Sequence, residues 1–297
     1  ELHLPAREGR EPGLVRQGES LRARPGGALE KDDASADRIP VDAATLADMA
    51  SRYQGERFTA WKEFSEQFRQ DPSLLAYFDF EGLVGWSRSL PCRSQGRMSV
   101  LDGAIVGCQV AQGRWPEKTA LEFKRVNDRV RINVPGEHES LSMTAWIRIE
   151  GFERSLSSIM LTDGHDLGEV HWQITNYGAL RLGVKAESDR SHDFDSPGVV
   201  TPDVLGRWLH LAVVYDGAAG RVTHFVNGEA ISSHRIATRT VLRIGAGEIG
   251  NWVPIPVPQQ DLWQSIRSLN GRIDDFAILS RPLSPEEVAG MYLVGRP

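Results

Sequence analysis

The stretch that decides the fold is residues 208–215, which read WLHLAVVY, an apolar run of strand length that is nearly continuous. A turn at residues 216–217 ends the run. The following strand pattern, residues 221–226, leads into Asn227-Gly228. This dipeptide is the strongest short hairpin signal, because a type I′ turn needs positive φ at both central residues. The segment therefore predicts a buried central strand followed by antiparallel neighbours.

On either side of this segment, other stretches of the sequence have the pattern of β-strands. Short runs of β-forming residues are separated by closely spaced turns, and no helices alternate with them, which predicts an antiparallel sandwich. These runs are residues 75–81, 143–149, 170–174, 180–184 and 272–279. A short helix ends the chain, since Ser284-Pro285-Glu286-Glu287 has the pattern of a capping box with proline in the first turn.

Composition narrows the classes of function. The chain has 297 residues, 40% of them hydrophobic and 25% charged, with a net charge of −6. No apolar run approaches the roughly 20 residues that a membrane-spanning helix needs. The acidic balance argues against a nucleic-acid surface, where Lys and Arg should dominate.

The chain divides into three parts. Residues 1–40 contain no Phe, Tyr or Trp and are rich in Gly and Pro, which predicts a linker or the tail of a preceding domain. Residues 41–72 have helical periodicity, which predicts two helices separated at Gly55. Their aromatic stripe is expected to pack on the next domain. Residues 73–297 form one β domain of about 225 residues, a large but allowed size. The stripe consists of Phe58, Trp61, Phe64 (or Ser65) and Phe68.

Six segments carry a family resemblance because they occur together and in order. They are residues 141–147 (LSMTAWI), 206–216 (GRWLHLAVVYD), 224–228 (HFVNG), 242–245 (LRIG), 270–276 (NGRIDDF) and 283–288 (LSPEEV). Together they resemble the laminin-G-like domain of the concanavalin A-like superfamily, over residues 74–297. The resemblance implies a mainly β fold, a two-sheet antiparallel jelly-roll sandwich, here with a short N-terminal helical segment.

A narrower resemblance rests on Trp61 and on residues 69–81, 113–123, 171–173 and 249–252. These resemble a bacterial subgroup found downstream of FecR-like domains in planctomycete-type proteins, and residues 14–23 resemble the end of a FecR-like domain. The resemblance implies a noncatalytic binding or sensor module of an envelope protein, in the periplasm or at the cell surface. Its partner would be a carbohydrate or an envelope protein, and membrane attachment would use a segment outside this chain.

The carboxylates do not match the glucanases of this fold. Those enzymes carry Glu-x-Asp-x-x-Glu or a close variant on one strand face, and no such segment is present. Asp79 and Glu81 share a face without a third acid, whereas the adjacent Asp274 and Asp275 should point to opposite faces. We therefore predict that the chain is not an enzyme. A hydrolase with another carboxylate arrangement and a purely structural spacer remain alternatives.

Calcium is the metal that the resemblance implies. In this superfamily a structural calcium often ties the first strand to the last, and hard cations take carboxylate and carbonyl oxygens. The corresponding residues here are Asp79 or Glu81 on the first strand and Asp274 on the last. The alternative is that these acids face solvent or pair with arginine.

Aromatic residues in loops are the candidates for ligand binding, because sugars stack on exposed aromatic faces. Trp252 and Trp263 flank a proline-rich stretch that predicts a surface loop. Trp172 lies beside Gln173 and near Tyr177. These five residues form the predicted ligand site, and the alternative for each Trp is that its ring pins its own loop.

Two cysteines, Cys92 and Cys108, are the only ones in the chain. An extracytoplasmic location would allow a disulfide between them. Two free thiols are the alternative, because sequence does not show whether the two residues approach each other.

Overall fold

The computed structural model describes residues 42–96, 101–187, 191–252 and 266–297, together with the backbone of four short strands before residue 42. The chain forms two compact units, residues 1–52 and residues 53–297. The first unit contains two antiparallel strand pairs. These strands are β1 (Leu2–His3) with β2 (Leu14–Val15), and β3 (Ser20–Ala23) with β4 (Leu29–Asp32).

One helix, α1 (Ala43–Phe68), replaces the two helices that the sequence predicts. Asp42 caps it as expected, since its Oδ1 accepts a 2.7 Å hydrogen bond from the backbone N–H of Thr45. The helix continues through Gly55, where a glycine costs only about 1 kcal/mol relative to alanine. A glycine flanked by good helix formers is therefore too weak a signal to end a helix.

Two antiparallel sheets make up the second unit. The strands of the front sheet are β6 (Ser89–Leu90), β7 (Gly103–Val106), β10 (Arg129–His138), β12 (Leu156–Thr162), β13 (Val170–Thr175), β14 (Ala179–Lys185), β15 (Ser191–Gly198) and β19 (Leu242–Ile249). Their order across the sheet is β15-β14-β13-β12-β19-β10-β7-β6.

The strands of the back sheet are β5 (Leu74–Phe78), β8 (Gln109–Gln112), β9 (Thr119–Phe123), β11 (Leu141–Gly151), β16 (Trp208–Asp216), β17 (Arg221–Val226), β18 (Glu229–Arg235) and β20 (Asn270–Leu279). Their order across the sheet is β18-β17-β16-β11-β20-β9-β8, and β5 also pairs with β20. A short 3-10 helix (Pro202–Val204) precedes β16, and α2 (Pro285–Gly295) follows β20. The predicted two-sheet antiparallel sandwich is confirmed.

Local signals in the sequence predict the turns correctly. Asn227 and Gly228 have φ values of 51° and 83° and join β17 to β18, as a type I′ hairpin requires. At the start of α2, Ser284 accepts from the backbone of Glu287, and the Glu287 side chain accepts from the backbone of Ser284, which completes the capping box.

Apolar side chains from the facing sides of the two sheets form one continuous core. Trp172 of β13 and Phe276 of β20 meet there with ring centroids 6.4 Å apart. A second apolar cluster lies on the outer face of the back sheet, where Phe64 and Phe68 of α1 and Met291 of α2 pack on strand residues such as Tyr77. The two helices thus cover the outer face of the back sheet.

No helix among the described residues combines the length and apolar character needed to cross a bilayer.

Candidate functional site

The outer face of the front sheet carries a row of polar side chains in direct register. Asp195 of β15 lies opposite Arg181 of β14, which lies opposite Gln173 of β13. A second row runs beside it, through Asp193, Gly183, His171, Leu161, Glu248 and Arg131. Because directly paired residues point to the same face of a sheet, the two rows form one surface across neighbouring strands. We call this surface the polar face.

Arg181 joins two carboxylates at one end of the polar face. Its guanidinium donates to both oxygens of Asp195 at 2.7 and 2.6 Å and lies 2.9 Å from Oδ2 of Asp193. The hydrogen bonds from Arg181 lower the pKa of Asp195. The Tyr177 hydroxyl donates to Asp195 at 3.3 Å, while 61% of Tyr177 is exposed. This end therefore presents an open aromatic ring beside a fixed set of charges.

Trp252 lies beside β12 and β13 in the polar face, and two side chains contact its ring. The Arg267 guanidinium stacks 4.6 Å from its ring centroid, and the His171 ring lies at 5.5 Å. Its indole N–H donates to the carbonyl oxygen of Thr162 at 3.0 Å. The alternative reading, an aromatic ring that pins its own loop, describes this tryptophan well.

Arg267 connects Trp252 to the polar face. Its Nη1 donates to Oε1 of Gln173 at 2.9 Å and to Nδ1 of His171 at 3.3 Å. The Nε2 of His171 lies 3.1 Å from the carbonyl oxygen of Gly164 and donates to it. An arginine only donates, so this pattern fixes the neutral tautomer of His171 with its proton on Nε2. Burial, followed by the charge of Arg267, lowers the pKa of His171 to about 3.

The structure separates the five predicted ligand residues. Trp172 is fully buried in the core and is not available to a ligand, because it shares the inward face of β13 with Val170 and Ile174. Gln173 is on the polar face but buried beneath Arg267, whereas Tyr177 is exposed. Trp252 is partly exposed, and Trp263 lies outside the described residues. Arg181, Asp195 and Arg267 are additional residues of this face that the sequence does not reveal. Strand register brings Arg181 and Asp195 there, and Arg267 reaches it from the segment before β20.

The acids proposed as calcium ligands are paired with cations. Asp79 is buried and accepts from Arg69 at 2.8 Å, with Arg93 also within ion-pair distance. Asp274 is fully buried, and its Oδ2 accepts from the backbone and side chain of Arg114 at 2.8 and 3.2 Å. Gly113 permits this approach, because a Cβ there would lie 2.7 Å from Asp274 Oδ2.

Lys118 completes this cluster from the loop between β8 and β9. Its ammonium lies 2.7 Å from Oδ1 of Asp274 and 3.6 Å from Oε1 of Glu81, and donates to the carbonyl oxygen of Asp79 at 2.5 Å. The carboxylates of Glu81 and Asp274 therefore face a lysine ammonium and that of Asp79 faces two arginines, so the three acids do not fit a calcium ion as they stand. Within the described part of the chain, no group of three or more His, Cys, Asp or Glu side chains has metal-site geometry.

Asp274 and Asp275 do not point to opposite sides as the sequence predicts. The pairing of β20 with β11 skips Asp275, which has φ of 68° and forms a β-bulge. As a result both carboxylates reach the same cations, with Asp275 contacting Arg114 and lying 3.3 Å from Lys118. Trp61 of α1 also donates to Asp275 at 2.8 Å.

The two cysteines are free: Cys108 is buried and Cys92 is partly exposed. Burial, with the nearby charge of Asp128, raises the pKa of Cys108 to about 12. The thiol of Cys108 is therefore held in its unreactive protonated form.

A family model and several solved structures are similar to this chain. The family model described as the concanavalin A-like lectin/glucanases superfamily matches residues 125–289, more than half of the chain. No curated protein sequence matches. The fold is similar to the binding domain of botulinum neurotoxin serotype D, with a TM-score of 0.54 at 16% identity, covering 75% of this chain and 52% of that one.

Two further solved structures are similar to the same degree. The binding domain of Paraclostridial Mosquitocidal Protein 1 has a TM-score of 0.55 at 15% identity, covering 74% of this chain and 52% of that one. The binding domain of botulinum neurotoxin serotype G has a TM-score of 0.55 at 13% identity, covering 74% of this chain and 51% of that one. The chain spans about half the length of these structures, and the likeness is one of fold.

Proposed function

The chain belongs to the concanavalin A-like lectin/glucanases superfamily, and from that premise we propose that it is a noncatalytic binding module whose polar face recognises carbohydrate. The observation that carries the proposal is the open end of the polar face at β14 and β15, where the exposed ring of Tyr177 lies beside the ion pair of Arg181 and Asp195. Toward β12 and β19 the same face is closed, since Leu161 and Glu248 are buried. Helices α1 and α2 pack on the outer face of the back sheet.

This combination suits a sugar. A pyranose offers an apolar C–H face, which stacks on an aromatic ring, and hydroxyl groups, which need donors and acceptors held in place. Tyr177 supplies the ring, and the Arg181–Asp195 pair supplies both kinds of hydrogen-bonding group. Side chains already locked by ion pairs lose little freedom on binding, which favours affinity.

The ion pairs also argue against hydrolysis. Retaining glycoside hydrolases need two carboxyl groups about 5–5.5 Å apart, one of them able to donate a proton. On the polar face, Arg181 holds Asp193 and Asp195, and Arg131 contacts Glu248. The hydrogen bonds from Arg181 lower the pKa of Asp195, so this carboxyl group is a poor general acid near neutral pH.

A glycan array probed with the whole 297-residue chain tests the proposal. We expect Tyr177→Ala to abolish binding without changing the melting temperature, because most of this side chain is exposed. Trp86→Ala is the matched control, since 78% of Trp86 is exposed but it lies just before β6, at the opposite edge of the front sheet.

Three results would count against the proposal. If no glycan binds, a protein partner replaces carbohydrate. If Tyr177→Ala and Trp86→Ala bind glycans equally well, the ligand does not contact this end of the polar face. If incubation with a bound glycan releases new reducing ends, the module is an enzyme.

The proposal extends to where the module acts. Support for an extracytoplasmic, envelope-attached protein comes from the resemblance of residues 14–23 and 69–81 to proteins with FecR-like domains. Antibody labelling of intact and permeabilised cells tests this directly. If the antibody labels the protein only after the cytoplasmic membrane has been permeabilised, the proposed location is wrong.

A further inference from the structure

A lysine ammonium stands at the point where the first strand of the sandwich meets the last. Lys118 is 1% exposed, and four oxygens lie around its Nζ. They are the carbonyl oxygen of Asp79 at 2.5 Å, Oδ1 of Asp274 at 2.7 Å, Oδ1 of Asp275 at 3.3 Å and Oε1 of Glu81 at 3.6 Å. The ring of Trp61 closes one side at 3.9 Å.

These oxygens are the ligands that a hard divalent cation prefers. Oδ1 of Asp274 and Oδ1 of Asp275 are buried and accept no well-directed hydrogen bond from any described residue. Lys118 therefore interacts with them as a charge, and their lone pairs are not saturated. Arg114 and Lys118 supply two positive charges to the carboxylates of Glu81, Asp274 and Asp275. If a divalent ion took the place of the Lys118 ammonium, its two charges and that of Arg114 would equal the three negative charges of the carboxylates.

We propose that Lys118 is a built-in substitute for a structural metal ion, and that removing its ammonium opens a latent calcium site among Glu81, Asp274, Asp275 and the Asp79 carbonyl. A covalently attached cation makes the same strand-to-strand connection as a calcium ion, but no chelator can remove it. The inference concerns stability and is independent of what the polar face binds.

Thermal melting of the whole chain with EDTA or with millimolar calcium tests this. The wild-type midpoint should be the same in both. Lys118→Ala leaves buried carboxylates without their cation and should melt roughly 6–20 °C lower in EDTA. Calcium should recover most of that loss, because an ion that binds only the folded state stabilises it.

Three further variants separate the site from general effects. Lys118→Met fills the space without a charge, so it should be destabilised and should not respond to calcium. Lys118→Ala/Asp274→Asn lacks one ligand and should lose most of the calcium response. Lys124→Ala is the matched control, because the Lys124 side chain is 41% exposed and pairs with Glu150 on the surface.

Terbium luminescence gives a second readout that does not depend on stability. Trp61 lines the site, so its excitation should sensitise a bound terbium ion in Lys118→Ala and not in wild type. If Lys118→Ala folds only with calcium present, the proposal is supported. The proposal fails if wild type melts lower in EDTA, if Lys118→Ala does not respond to calcium and terbium, or if it does not fold under either condition.

Discussion

The indole N–H of Trp61 donates a 2.8 Å hydrogen bond to Oδ2 of Asp275, which joins helix α1 to the last strand of the back sheet. Trp61 also stacks on Phe58 at 5.6 Å and packs on Trp115 at 5.7 Å. The aromatic stripe that sequence periodicity predicts is therefore attached to the sandwich through its ring contacts and through the buried ionic cluster.

Trp61→Phe should destabilise the fold by about 1–3 kcal/mol, because a buried carboxylate oxygen loses a donor while most of the ring packing remains. Urea denaturation measures the change. Trp86→Phe is the control and should stay within about 0.5 kcal/mol, since Trp86 is mostly exposed. Equal midpoints for the two variants would mean that this hydrogen bond does not stabilise the fold.

Trp172→Ala should lower the free energy of unfolding by about 3–5 kcal/mol, the usual cost of removing a large aromatic side chain from a core. Tyr177→Ala, only five residues later but exposed, should change it by about 0.5 kcal/mol or less. Chemical denaturation of both variants checks the assignment of Trp172 to the core. If the Trp172→Ala variant is as stable as wild type, the Trp172 side chain is at the surface and not in the core.

His210 makes stability depend on pH. Its Nε2 lies 2.7 Å from the Thr144 hydroxyl, and burial, followed by the charge of Arg114, lowers its pKa from 6.5 to about 3. Below pH 6.5 the unfolded chain takes up a proton at this residue and the folded chain does not, so stability falls as pH falls. The loss is about 1.4 kcal/mol for each pH unit between these two pKa values.

Denaturation curves between about pH 7 and about pH 5 measure this slope. His210→Phe removes the titrating group, so its slope should be smaller than that of wild type, by an amount that approaches about 1.4 kcal/mol per pH unit toward the acid end of this range. His171 and His224 act in the same direction, with pKa values lowered by burial to about 3 and about 4, so part of the slope remains. An unchanged slope in His210→Phe would show that His210 is already protonated or exposed.

Iodoacetamide should modify Cys92 and spare Cys108 in the folded protein. Cys108 is buried with its pKa raised to about 12, and only the thiolate reacts quickly. Peptide mapping identifies the modified site, and both thiols should react after denaturation. Cys92→Ser should abolish labelling of the folded chain. A Cys92–Cys108 linked peptide from the untreated protein would contradict two free thiols.

Much of the fold was predictable because its signals are local. The apolar run at 208–215, the Asn227-Gly228 turn and the capping box at Ser284 each depend on residues close together in sequence. The position of Trp172 was also available from sequence: Val170, Trp172 and Ile174 alternate with His171 and Gln173, which is the pattern of a strand with one inward face. The prediction of Trp172 as a ligand residue overlooked that alternation.

The candidate site was less predictable because strand register decides it. Arg181 and Asp195 meet because β14 pairs with β15 in one register, and a shift by one residue would turn one of them to the other face. The bulge at Asp275 likewise shifts the register of β20 by one residue, so that the carboxylate of Asp275 lies on the same side as that of Asp274. Neither feature has a local sequence signal as strong as that of a tight turn.

By itself the sequence determined a two-sheet antiparallel sandwich with an aromatic helical segment before it, since period-two patterns, turn residues and helix caps act over a few residues. Only the tertiary structure decided which charges meet. Lys118 and Asp274 are far apart in sequence, yet the ammonium and the carboxylate lie 2.7 Å apart. Such contacts depend on how β5, β9 and β20 pair, and the free energy of that pairing comes from the whole core and not from either residue.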